Sequence, residues 1–272
     1  MPPALATASA VMIVGAIPVF ADIDPDTYLL DPKRAETLVS VHTKAMIPVH
    51  IGGCPADMDA FMGIGKCHSL IIIEDACQAH SAAWRGRRVR AIGHMGAFSF
   101  QSSKNITSGE GGAVVGNDDA LMEAGWSYHN VGRIRSGRWY QHERLGSNAR
   151  MAEWEAAVVV AQMARVKKQM ALREKNAALL TRMLGEIPGI RPLRRDQRAT
   201  THAYHLYIFR NDPEAFGGKS RAGFLKALSA EGIPCSAGYV PLYRENAVTD
   251  TCKSLYAVVG RQPVTLETNI TR

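Results

Sequence analysis

Charge is absent from the first twenty residues, closely spaced cysteines are absent throughout, and no apolar run is long enough to cross a bilayer unbroken. Each absence closes off a class of protein. A secretory leader needs a positively charged start, and residues 1–20 carry no charged side chain. Gly15 and Pro18 interrupt any spanning helix there. The stretch is expected to hold a short buried helix through Ala6 to Val14, followed by a strand at Ile17–Phe20. The five cysteines (Cys54, Cys67, Cys77, Cys235 and Cys252) are odd in number, and no pair has the spacing of a zinc knuckle or redox dithiol. No metal site is expected, and a reduced, cytoplasmic setting fits a chain this large. The formal charge of +7 gathers in three arginine groups: 85, 87, 88 and 90; 133, 135 and 138; and 191, 194, 195 and 198. None of these is interleaved with the aromatic platform that single-strand binders use. A nucleic-acid partner is therefore not expected, whereas a phosphorylated small molecule would satisfy the same charge.

What is present is an ordinary globular composition, 46% hydrophobic and 21% charged over 272 residues, enough for one large domain and a smaller one. Short apolar runs at Ile17–Phe20, Ala45–His50, Leu70–Ile73, Ala97–Phe100 and Gly112–Gly116 read as strands. Between them, Met58–Lys66 and Asp118–Gly125 read as helices. This alternation predicts an α/β fold on a mostly parallel sheet covered on both faces. From Met151 to Leu184 the pattern becomes one long helix, uninterrupted by Gly or Pro and closed by turn residues at 186–189. His202–Phe209 reads as a strand and Lys219–Glu231 as a helix of a smaller α+β domain, and the tail after Gly260 is expected to lack order. The expected division is 1–150, a large cofactor-binding domain; 151–185, a connecting helix; and 186–272, the small domain.

Two segments carry chemistry. In Leu70-Ile-Ile-Ile-Glu74-Asp75-Ala-Cys-Gln78-Ala-His80, a strand ends in two carboxylates. Ligands of open α/β sheets bind outside the carboxyl ends of the strands, so Asp75 stands where a cationic heterocycle could be held protonated. Asp75 could equally cap a following helix. The second segment runs from Ala97 to Gly112, a strand opening into a loop of hydroxyls and glycines with Lys104 in its middle. Such a loop suits phosphate oxygens, and a desolvated lysine suits Schiff-base chemistry. The alternative is an exposed hairpin with an incidental lysine. Together the two segments supply an anion for a pyridine nitrogen, donors for a phosphate and an amine for an aldehyde, the minimal set for pyridoxal 5'-phosphate (PLP).

The order Pro48-Val-His50, Gly53, Pro55-Ala-Asp-Met-Asp59, Glu74–His80, Phe98-Ser99-Phe100…Lys104, Gly109-Glu-Gly-Gly112 and Asn148-Ala-Arg150-Met151 resembles the DegT/DnrJ/StrS family of sugar and cyclitol aminotransferases. The resemblance runs from about Pro18 to Gln162 and continues more weakly beyond. It implies a fold-type I PLP enzyme in which Lys104 is the Schiff-base lysine, Asp75 the carboxylate at the ring nitrogen and Gln78 the side chain near the ring hydroxyl. It implies that Ser99 is a phosphate-binding hydroxyl and that Asn148 reaches the cofactor phosphate of a neighbouring subunit, as in a homodimer with shared sites. It further implies amino transfer from glutamate or glutamine to a keto-sugar or keto-cyclitol in a secondary-metabolite or cell-surface sugar pathway. His129-Asn-Val-Gly-Arg133…Trp139-Tyr140…His142 is more similar to the members acting on cyclitol ketones or making aminated aromatic precursors.

The chain also departs from the family pattern. It has no Gly-Thr or Gly-Ser phosphate-binding element, no cofactor-stacking aromatic near Leu5, Ser81 in place of a glycine, and no closing motif at its C-terminal end. A family member shortened at its N-terminus and non-catalytic is therefore the alternative reading. The dehydrating relatives lack the Schiff-base lysine, so Lys104 argues against that activity.

Overall fold

The charge-free opening segment forms a helix, α1 (Leu5–Ile13), in the computed structural model, which describes residues 5–259. It is not the buried helix its composition suggests. Ala8 alone is buried, while Ile13 is 78% exposed. Residues 17–20 form no strand: they run without a strand partner, and the first bridge pairs Ile23 with Leu30. An apolar run becomes a strand only where a neighbour can take its backbone hydrogen bonds.

A short helix, α2 (Pro32–Thr37), starts on Asp31, whose carboxylate accepts from the Lys33 N–H at 2.9 Å. Strand β1 (Ala45–Met46) follows, then a single tight turn at Ile51–Gly53 and helix α3 (Met58–His68), capped by the Asp57 carboxylate on the Ala60 N–H. Strand β2 (Ile71–Asp75) is central, pairing in parallel with β1. Strands β3 (Ala83–Trp84) and β4 (Arg87–Arg88) make a two-residue hairpin in which Arg85 and Gly86 both take positive φ, as such turns require. Strand β5 (Met95–Ser99) pairs in parallel with β2, and β6 (Gly112–Gly116) closes the sheet antiparallel to β5. The sheet order β1-β2-β5-β6 therefore has two parallel pairings out of three. The expected mostly parallel α/β sheet is what forms.

Alternation along β2 decides what each residue meets. Ile72 and Glu74 are wholly buried, whereas Ile71, Ile73 and Asp75 leave on the other face. On the buried face, Ile72 joins Phe61, Ile64 and Met58 of α3 and Trp84 of β3 in the main core. Burial of side chains of this size contributes roughly 1.5–3 kcal/mol each.

Helix α4 (Asp119–His129) is capped by Asp118, and residues 130–150 leave it as an exposed arm. Helix α5 (Glu153–Gly185) realises the predicted long helix, with the Glu155 side chain reaching back to the Ala152 N–H. Its buried residues Val159, Met170 and Ala177 lie on one stripe. Val159 packs on Phe100 and Ile106, and Met170 on Ala76, Ala79 and Ala203, so α5 roofs the loops that follow β2 and β5.

Beyond α5, β7 (Ile190–Pro192) pairs antiparallel with β8 (Phe209–Asn211). The strand expected at His202–Phe209 is confined to its last residue. Its earlier backbone instead bonds outward, Ala203 N–H to Gly53 O at 2.9 Å and Leu206 N–H to Gly52 O at 3.1 Å. Helix α6 (Arg221–Ala230) matches the predicted helix, and α7 (Asn246–Val258) packs on α1 through Val248, Leu242 and Ala8. The tail expected to lack order, beyond Gly260, lies outside the described residues.

The arginine groups are largely used internally. Arg85 pairs with Asp59, Arg135 with Glu123, Arg194 with Asp24, Arg195 with Glu174, and Arg198 with both Asp57 and Asp196. Among the described residues no helix is long and apolar enough to cross a membrane, and no cluster of three His, Cys, Asp or Glu could hold a metal.

Candidate active site

At the carboxyl end of β2 the chain places two adjacent carboxylates in opposite environments. Glu74 is enclosed: it accepts from the backbone N–H groups of Arg90 (2.6 Å), Ile92 (2.9 Å) and Gly93 (2.6 Å), and lies 3.1 Å from His50 Nε2. His50 Nδ1 accepts the Ala56 N–H, so the ring proton sits on Nε2 and is donated to Glu74. Burial would raise the Glu74 carboxyl, but the His50 and backbone donors together hold it below its ordinary value. Asp75 faces the other way. Its Oδ2 accepts the Thr7 hydroxyl at 2.6 Å and its Oδ1 the Cys77 N–H at 3.1 Å. No helix follows Asp75; residues 76–79 are a turn, so the capping alternative falls. The bond to Cys77, two residues on, is an Asx-turn that points the carboxylate outward.

Gln78 is buried and spoken for at both ends. Its Oε1 accepts the Gly52 N–H at 2.7 Å, and its Nε2 donates to the Tyr239 hydroxyl. The close approach depends on Gly53, which has φ +95° and would place a Cβ 2.8 Å from the Gln78 carbonyl.

The lysine loop joins two antiparallel strands, yet it is not an exposed hairpin. Asn105, Ile106 and Ser108 are buried, and Lys104 is half-buried. Asn105 donates to the Ala203 carbonyl at 2.8 Å, and Gln162 of α5 donates to the Thr107 carbonyl at 2.6 Å. Ser99, at the end of β5, accepts the Gln101 N–H at 3.3 Å.

Lys104 acts electrically on the residues around Asp75. Burial pushes the Cys77 thiol up to about 12, the Asp75 charge adds to that, and Lys104 opposes it. His80 is 2% exposed, stacked 5.1 Å from Phe98, and neither ring nitrogen makes a hydrogen bond of normal geometry. Burial pushes its ring down to about 4; the adjacent Ser99 backbone offsets part of this, and His205 and Lys104 add to it. His205 is likewise held at about 4 by burial, then by the charges of Lys104 and Arg173. The Cys77 thiol is thus within electrostatic reach of both Asp75 and Lys104.

Asp75, Gln78, Ser99 and Lys104 therefore gather at the carboxyl ends of β2 and β5. Asn148 does not join them. It sits exposed on the arm, bridged to Asn130, and no hydrogen bond among the described residues links it to the other four. Sequence reasoning missed Thr7, Tyr239 and His205, which reach the site from distant parts of the chain. His80 was visible in the motif but had no assigned role.

A carboxylate at the end of β2 and an amine after β5 are the groups that a cationic ring nitrogen and an aldehyde would require. A sequence model of the DegT/DnrJ/EryC1/StrS aminotransferase family matches residues 4–262. A putative L-glutamine:3-amino-2,3-dideoxy-scyllo-inosose aminotransferase of Streptoalloteichus tenebrarius is 39% identical over 249 residues, covering 90% of this chain and 60% of that protein. The 3-amino-5-hydroxybenzoate synthase of Amycolatopsis mediterranei is 37% identical over 245 residues, 89% of this chain and 63% of that one. The chain thus spans about three-fifths of the length of these curated relatives. The crystal structure of a 3-amino-5-hydroxybenzoic acid synthase superposes with a TM-score of 0.86 at 34% identity, covering 94% of this chain and 68% of that one.

Proposed function

This chain belongs to the DegT/DnrJ/EryC1/StrS aminotransferase family, and on that premise we propose that it moves an amino group from glutamine or glutamate to a keto-cyclitol or keto-sugar, using PLP. The observation that carries the reading is that Asp75, whose carboxyl oxygens accept two hydrogen bonds, and Lys104 both lie within electrostatic reach of Cys77 at the carboxyl ends of β2 and β5. The residues present fit the cofactor. Asp75 accepts two hydrogen bonds that orient its carboxyl group, and Lys104 stands half-buried in the loop after β5.

When bound, PLP supplies an electron sink for the pair released as a Cα–H bond breaks. The rest falls to the chain. Asp75, ionised, stabilises a proton on a ring nitrogen placed against it. Lys104 Nζ would anchor the cofactor and would take up and return the substrate proton as general base and acid. Gln78 stands for the ring hydroxyl and Ser99 for the phosphate. Phe98, Phe100 and His80 form an aromatic cluster at the carboxyl ends of β2 and β5.

The substrate class follows the relatives, whose names specify L-glutamine and inosose rings. Asn148 would serve the cofactor of a second copy. The arm that carries it exposes Trp139 (82%), Tyr140 (70%) and Leu145 (96%), an apolar surface suited to a homodimer. We divide the chain into a cofactor-binding domain (1–150), a connecting helix (151–185) and a small domain (186–272).

The test is direct. The purified protein mixed with PLP should develop a visible absorption band that Lys104→Ala abolishes, and should transfer nitrogen from L-glutamine to a keto-inositol. No band, or a band that survives Lys104→Ala, refutes the assignment. A lysine-dependent band without transfer assigns the chain to a cofactor-binding, non-catalytic role.

A further inference from the structure

We propose that Thr7 is a positioning residue for the cofactor carboxylate: its hydroxyl holds the Asp75 side chain oriented toward the ring nitrogen. The inference rests on the PLP reading above. A threonine inside a helix ordinarily turns its hydroxyl to solvent or to a carbonyl of the preceding turn. Thr7 instead donates to a carboxylate 68 residues along the chain, at 2.6 Å. The Cys77 N–H takes the other oxygen, so the two donors fix the carboxylate from both sides.

The helix that carries Thr7 is placed by the far end of the chain. Ala8 is its one buried residue, packed with Leu242 and Val248, and Met12 and Cys252 border the same cluster. Tyr239 from the same stretch of chain reaches Gln78. Two hydrogen bonds, Thr7 to Asp75 and Tyr239 to Gln78, thus let residues 239–252 set both side chains expected against the ring. Loss of the Thr7 hydroxyl leaves Asp75 with one donor and freedom to rotate.

The experiment measures PLP affinity by titration of the visible band in the full-length protein and in Thr7→Val, Thr7→Ala and Thr7→Ser. It repeats the affinity measurement, by fluorescence quenching, with 1-deaza-PLP, which carries carbon in place of the ring nitrogen. Val and Ala should weaken PLP binding about tenfold, the scale of one hydrogen bond to a charged group, and Ser should restore it. The deaza analogue should bind all four proteins alike, because it offers Asp75 nothing to hold. The proposal is overturned if Val or Ala, folded by circular dichroism, binds PLP as the wild type does. It is equally overturned if both cofactors lose affinity together, or if Ser fails to restore binding. Should Val misfold, the comparison of Ala with Ser decides. Failure of the parent reading looks different: the wild-type protein itself would form no lysine-dependent band.

Discussion

Glu74 and Asp75 are consecutive residues that leave β2 on opposite faces, one into an enclosed cage of donors and the other toward Thr7. The strand's alternation gives the first a structural role and the second a chemical one. Glu74 ties β2 to the 90–93 turn and, through His50, to the loop carrying Gly52 and Gly53, on which Gln78 leans.

Glu74→Ala should therefore destabilise the protein by about 3 kcal/mol, since it strands three N–H groups, two of them buried, and a buried imidazole. The carboxyl is lowered in the folded chain, so its contribution is complete above its ordinary value of 4.5 and is lost as pH falls below that through the folded value. Urea unfolding of wild type and Glu74→Ala at a series of pH values checks both points. The variant should be less stable at pH 7 and should lose less on acidification below 4.5.

His80 makes a separate prediction in a higher pH window. Its ring is held near 4 against an ordinary 6.5, so between those values the unfolded chain binds a proton that the folded chain refuses. Its contribution is complete above 6.5 and declines as pH falls toward 4, by on the order of 3 kcal/mol in all. His202, held near 3, and His205, held near 4, both mainly by burial, act in the same direction. His80→Phe keeps the stack on Phe98 and should lower the pH slope of stability between 6 and 5 by about one proton. An unchanged slope would count against the buried neutral ring.

Gly53→Ala tests the floor beneath Gln78. The position has φ +95°, and a Cβ would lie 2.8 Å from the Gln78 carbonyl and 3.0 Å from the Tyr204 N. Backbone strain and displacement together should cost about 2 kcal/mol or more. Because Gln78 must shift, PLP affinity should fall as well, whereas Gly63→Ala, where a Cβ meets nothing within 4 Å, should leave affinity unchanged. Thermal melts and cofactor titrations of the two variants decide the matter.

Arg198 fastens the segment after β7 to α3. It donates to Asp57 and Asp196 at 2.7 Å each and lies 4.6 Å over the Trp84 ring. The side chain is about one-third exposed, which screens the charges, so Arg198→Ala should cost about 1–2 kcal/mol. Arg198→Lys should recover little of it, because an ammonium cannot serve both carboxylates in the planar fork and stack on the indole. Chemical denaturation of the two variants measures the difference.

Where the sequence could be read, local patterning was strong. Ile71-Ile-Ile73 followed by two carboxylates is a strand ending at a ligand face, and Lys104 in a hydroxyl-rich loop is where the structure puts a half-buried amine. The long helix and α6 obey periodicity and breakers, and they form within two residues of expectation. The failures share one cause. Residues 17–20 are as apolar as a strand but have no strand beside them, and residues 202–208 spend their backbone bonds on Gly52 and Gly53 instead of a ladder. Partners, not propensity, decide such segments.

By itself the sequence determined the α/β alternation and the family to which the chain belongs, and it singled out Asp75, Gln78, Ser99 and Lys104 as the proposed set. These are carried by residue type and spacing, which need no third dimension. Tertiary structure alone decided which carboxylate is caged and which is offered, and that Thr7 and Tyr239 reach Asp75 and Gln78 across 68 and 161 residues. The physical reason is that hydrogen bonds are satisfied in space. A donor's partner is whatever the packing of α1, α7 and β2 brings within reach, and no local pattern records it.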